Sequence, residues 1–143
     1  MVSANPVFPI HHDAIPGLLQ KHGIAPTAQR VEIAATLLCE RQHLSADQVL
    51  KRLTEHSVSV SKATVYNTLG LFAERSLVRQ VIVDPAKVFY DSNTEPHHHV
   101  YNVDEGTLID VDTSNMHLEQ IPHPPSGTFV ETVDIVIRIR NII

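Results

Sequence analysis

The chain has 143 residues, 43% of them apolar and 19% charged, with a formal net charge of −5 at pH 7. That is enough apolar material for one domain or two small ones, and it excludes a disordered or supercharged tail protein. A single cysteine, Cys39, excludes a disulfide scaffold and a zinc site of four thiolates, and no apolar run is long enough to span a membrane.

The first half reads as helices. A helix is expected from about Ala14 to Lys21, ending at Gly23. From Thr27 to Glu40, Val31, Ala34, Ala35 and Leu38 recur at helical spacing, with Pro26 stopping anything upstream. Cys39 falls on the apolar side of this helix and reads as a small buried hydrophobe. Ser45-Ala46-Asp47-Gln48 has the form of a capping box, and Val49, Leu50 and Leu53 continue the stripe from Ala46. Ser61 caps a further helix to about Arg75, with Val65, Leu69 and Phe72 inward. Its outward face then holds Ala63, Tyr66, Asn67, Gly70 and Glu74, with Lys62 in the first turn.

The period next changes from 3.6 to about 2. Leu77–Val83 and Lys87–Asp91 form a hairpin across Asp84-Pro85-Ala86, and His97–Val103 and Thr107–Asp112 form a second one across Asp104-Glu105-Gly106. After a Pro-rich loop, Phe129–Ile139 alternates as a long final strand, completing a small antiparallel β unit. The composition shift at residues 91–96 marks the expected linker. Helices followed at once by a hairpin are the winged-helix arrangement, in which the last helix before the hairpin enters the major groove. Asn67 suits a base edge, Tyr66 a thymine methyl or a phosphate, and Ser61 and Lys62 a phosphate. A solvated amphipathic helix with a surface tyrosine is the plain alternative.

Charge and histidine are unevenly placed. Residues 1–90 carry nine Lys/Arg against seven Asp/Glu, net +2, while residues 91–143 carry two against nine, net −7. In an extended strand His97 and His99 share a face and His98 points away. A tight turn at Asp104-Glu105 sets Asp110 roughly opposite His99, and Asp91 closes the preceding hairpin. Two imidazoles and up to two carboxylates suit Fe²⁺, Mn²⁺ or Zn²⁺; a polar hairpin with surface histidines is the plain alternative. His117, Glu119 and His123 are candidates to join His98 in a second cation site, with simple surface histidines the competing reading. No nucleophile–base pair or Gly-rich phosphate loop is present, so an enzyme is not expected.

Thr27-Ala28-Gln29-Arg30, His43-Leu44-Ser45-Ala46-Asp47, Val60 to Leu69 with its Ala-Thr-Val-Tyr segment, and His97-His98-His99 together resemble the ferric uptake regulator superfamily over roughly residues 14–140. The resemblance implies an α+β fold: a winged-helix DNA-binding domain over 1–91, then a small α/β dimerisation and metal-sensing domain over 92–143. It implies a homodimer in the cytoplasm, no membrane association, an AT-rich palindromic operator, and DNA contacts from Arg30, Ser61, Lys62, Thr64, Tyr66 and Asn67. It adds His43 to the metal ligands, giving His43, Asp91, His97, His99 and Asp110 around one divalent metal at the hinge. The Cys-x-x-Cys pair usual after the His triplet is replaced by Asn102 and Glu105, which implies that a structural zinc is absent. The run from Asp91 to His99, the missing cysteines and the short ending most resemble the iron response regulator branch, implying regulation by iron or haem. The alternatives are a peroxide-sensing metal-dependent repressor of the same superfamily and, from another class, a metal-dependent enzyme built on the His/Asp cluster or a plain metal buffer. The stretch Met1–Ile10 lacks the layout of a secretion signal, and a soluble cytosolic protein is expected.

Overall fold

The structure, a computed structural model, describes residues 7–143. Residues 1–6 of the stretch read above for a secretion signal lie outside the described residues. The described residues up to Thr94 form one compact unit and Glu95–Ile143 a second.

The first unit is built by local signals. Helix α1 (Ile15–Lys21) stops at Gly23, whose φ of +73° favours glycine. Helix α2 (Ala28–Leu38) is capped by Thr27, whose hydroxyl accepts the Arg30 N–H at 3.3 Å. Helix α3 (Ala46–Glu55) opens with the complete capping box: Gln48 N–H donates to the Ser45 hydroxyl and Ser45 N–H to the Gln48 side chain. Helix α4 (Lys62–Glu74) is capped by Ser61. Ile15, Leu19, Ile33, Leu37, Val49, Leu53, Val65, Leu69 and Phe72 interlock in one core with almost no exposure. Ile33 and Leu37 widen the stripe of α2 beyond the positions that periodicity marks.

Strands β2 (Arg79–Asp84) and β3 (Lys87–Asp91) form the expected hairpin, its turn fixed by the Ala86 N–H donating to Asp84 Oδ1 at 2.8 Å. A short strand β1 (His43–Ser45), unforeseen from the sequence, pairs antiparallel with β3 on its other side. Helices α2, α3 and α4 with the three-stranded sheet make the winged-helix arrangement. Burial pushes the pKa of Tyr90, on β3, above its ordinary value.

The second unit is a three-stranded sheet in the order β5-β4-β6, from β4 (His98–Asn102), β5 (Thr107–Val111) and β6 (Val136–Ile139). Two expectations are corrected here. The final strand covers 136–139 and not 129–139: Phe129 is 83% exposed, and residues 130–135 have no strand structure. A strand lasts only as long as its ladder partner, and β4 has five residues. The sheet is also mixed, because β6 runs parallel to β4. Residues 112–135 supply the long connection that a parallel pair requires; apart from a 3-10 turn at Thr113–Asn115 they carry no helix or strand. A polar clip closes the unit. The Asn102 side chain accepts the N–H groups of Asp104 and Glu105 and donates to Asn141 Oδ1, while the Asp104 carboxylate accepts from Arg140 Nη1 and the Asn141 N–H.

Candidate metal centre and nucleic-acid interface

In the second unit the strand pleat and the turn at Asp104–Gly106 together build a donor cluster. The register pairs His99 with Asp110. His97 Nε2 and His99 Nε2 each lie 3.3 Å from the same oxygen, Asp110 Oδ1, with the two rings 4.4 Å apart. Both imidazoles are buried, while half of the Asp110 side chain is exposed. His97 Nδ1 lies 2.6 Å from the Glu95 carbonyl, which only accepts, so Nδ1 carries a hydrogen and Nε2 is the nitrogen turned toward Asp110, donating to it when the ring is charged and offering a lone pair when it is neutral. Lone pairs and a carboxylate aimed at one point demand a proton or a cation there. The nitrogen and oxygen donors suit a borderline divalent metal.

In the first unit β1 sets His43 directly across from Asp91 on β3, which puts both side chains on one face. Asp91 is 1% exposed and accepts the Asn93 N–H at 2.9 Å. Their chain neighbours are anchored. Ser92, fully buried, accepts the Gln42 N–H and lies within donating distance of the Glu40 and Gln42 carbonyls. The Gln42 side chain donates to the Thr36 and Leu37 carbonyls at the end of α2 and accepts from Arg52 on α3. Sequence patterns gave no sign of this anchor, because its partners lie up to 52 residues apart.

Helix α4 presents Ala63, Tyr66, Asn67 and Gly70 to solvent, with Ser61 and Lys62 exposed at its start and Thr64 half-buried against the Ser61 hydroxyl. Apart from the helix's own adjoining backbone, no atom lies within 4 Å of where a Gly70 Cβ would sit, so this stretch of helix is open to close approach. The Tyr66 hydroxyl donates to Asp47 Oδ1 on α3 at 3.1 Å, and Lys62 Nζ lies 3.6 Å from the same oxygen. Arg30 sits elsewhere, in the first turn of α2, donating to the Ala25 carbonyl.

His98 is buried and its Nδ1 accepts the Ile135 N–H at 3.3 Å, while His117 and His123 are exposed in irregular chain. No metal-holding cluster forms from these three among the described residues. Cys39 is exposed rather than buried: it sits at the C-cap of α2, where the helix ends and its apolar side no longer faces the core.

A winged-helix unit followed by a small sheet with clustered histidine and carboxylate donors defines a class of regulator. Residues 21–135 match the model of the ferric uptake regulator family. The chain belongs to that family, whose members are transcriptional regulators and not enzymes. It is 29% identical over 92 residues to a peroxide-responsive repressor of Staphylococcus epidermidis, a match covering 64% of this chain and 61% of that protein. It is similar, with TM-score 0.68 and 28% identity, to the ferric uptake regulator from Pseudomonas aeruginosa solved with manganese, over 89% of this chain and 97% of that one. The Vibrio cholerae ferric uptake regulator shares the fold, with TM-score 0.70 and 19% identity over 88% of this chain and 98% of that one. The iron response regulator branch finds no support among these relatives. Among the described residues no helix is long and apolar enough to cross a membrane.

Proposed function

We propose that the chain is a metal-responsive transcriptional regulator that binds DNA as a homodimer and takes one divalent cation through His43, Asp91, His97, His99 and Asp110. The observation that carries the reading is the convergence of His97 and His99 Nε2 on Asp110 Oδ1, each at 3.3 Å. The manganese in the Pseudomonas aeruginosa relative supports a divalent cation, with Fe²⁺, Mn²⁺ and Zn²⁺ all compatible with the donors. A cation taken by the His43–Asp91 pair and the His97–His99–Asp110 cluster together couples the two units, and so couples metal occupancy to DNA binding. The test is Mn²⁺ titration with gel retardation of a duplex selected from a random pool. His99→Ala or His43→Ala is expected to abolish tight Mn²⁺ binding and the effect of chelation on DNA affinity. Retention of both effects in either variant would sink the proposal.

Two finer readings differ in the signal sensed, iron or haem in one and peroxide in the other. The Staphylococcus epidermidis relative, a peroxide-responsive repressor, favours the second. Haem needs an axial imidazole, and His98 Nδ1 is engaged by the Ile135 N–H. Haem titration followed by absorption, beside loss of DNA binding on peroxide treatment of the Fe²⁺-loaded protein, tells the two apart.

A further inference from the structure

We infer that Asp47 is a positioning residue for DNA reading: its carboxylate holds the Tyr66 hydroxyl so that the ring, rather than the hydroxyl, is what Tyr66 presents to base edges. The inference rests on the reading that α4 docks in the major groove.

The hydroxyl of Tyr66 donates to Asp47 Oδ1 at 3.1 Å, a bond to a charged acceptor and therefore stronger than a neutral one. Lys62 approaches the same oxygen at 3.6 Å and lies over the Tyr66 ring, 5.6 Å from its centroid. The backbone of Asp47 is held in α3: it occupies the second helical position, inside the Ser45–Gln48 capping box, where the helix N-terminus favours a carboxylate. One oxygen thus gathers the two most prominent polar groups of the α4 face and bridges α3 to α4. Tyr66 remains 42% exposed, with Asn67 beside it and the open backbone at Gly70 one turn on.

Two opposite effects follow from a carboxylate on a face that meets phosphates. Its charge repels any duplex, irrespective of sequence. Its hydrogen bond restricts Tyr66 to one orientation, which helps only where a thymine methyl lies in the right place. Asp47 therefore lowers affinity for all DNA and raises the ratio between cognate and random DNA.

The experiment measures binding of the Mn²⁺-loaded protein to a duplex selected from a random pool and to a scrambled duplex, at about 0.1 M salt. Asp47→Ala is expected to bind the scrambled duplex about threefold more tightly and to lower the selected-to-scrambled ratio about tenfold. Tyr66→Phe is expected to lower the ratio similarly with the scrambled affinity unchanged. The double variant is expected to fall no further, since both changes remove one bond. Asp47→Asn, which can still accept the hydroxyl, is expected to keep most of the ratio. An unchanged ratio in Asp47→Ala, or additive losses in the double variant, would overturn the role of Asp47 while leaving the docking intact. If Tyr66→Ala and Lys62→Ala both bound the selected duplex as well as the parent, the docking of α4 would fail, and the role of Asp47 with it.

Discussion

At the residue scale, Ser92 and Asp110 show how differently two polar groups can be held. Asp110 is half-exposed and shares one oxygen between two imidazoles. Ser92 is fully buried and binds only backbone, on Glu40 and Gln42, while adjoining Asp91 in the chain. Ser92→Ala is expected to cost about 1–3 kcal/mol of stability, the penalty of leaving buried polar groups unpaired. It is also expected to weaken Mn²⁺ binding by roughly 10–100-fold, as loss of support around a ligand does. Thermal unfolding with and without Mn²⁺ measures both, and a destabilised variant of unaltered Mn²⁺ affinity would detach Ser92 from the donors. The pairing of His99 with Asp110 was legible in the sequence, since a period of two and one tight turn suffice to derive it. The Ser92–Gln42 anchor and the Asp47–Tyr66 bond were not, because each joins residues 19 or more positions apart through tertiary packing.

At the scale of elements, helix ends were readable wherever the cap is a local event. Thr27, Ser45 and Ser61 each accept from a backbone N–H three residues on, so the sequence alone places α2, α3 and α4 closely. Strands depend on partners. The three-residue β1 exists because β3 lies beside it, and β6 ends where β4 ends, so neither extent shows in its own sequence. The clip around Asn102 follows the same logic: it fastens the β4–β5 turn to the chain just after β6. Asn102→Ala strands two backbone N–H groups and the Asn141 amide, and is expected to cost about 1–3 kcal/mol. Hydrogen exchange checks the location, with protection expected to fall in residues 136–141 and to stay unchanged in α2–α4.

At the scale of the whole molecule, charge and apolar surface divide between the two ends of the chain. The basic excess lies in residues 1–90, with α4. The exposed large apolar residues lie mostly in the second unit, among them Ile109, Phe129, Ile137 and Ile139. An apolar surface of that kind beside an uncapped sheet edge is suited to a second copy of the same chain. Replacing Ile137 and Ile139 together by Lys is expected to give a monomer in light scattering, and to abolish retardation of a palindromic duplex while leaving the helical unit folded by circular dichroism. A dimer that survives this change would place the interface elsewhere.

The parallel pairing of β4 with β6 also bears on the order in which the molecule assembles. The helices and the β4–β5 hairpin close on neighbours in sequence and form fast, whereas β6 reaches β4 only after the chain has closed a loop through residues 112–135. That closure costs entropy before any ladder bond returns it, so β6 docks late. During that interval the apolar residues of β6 are not yet joined to the sheet. The protein is therefore at greatest risk of aggregation after its helical unit has already formed, and refolding yield should fall with concentration even where the helical signal recovers fully.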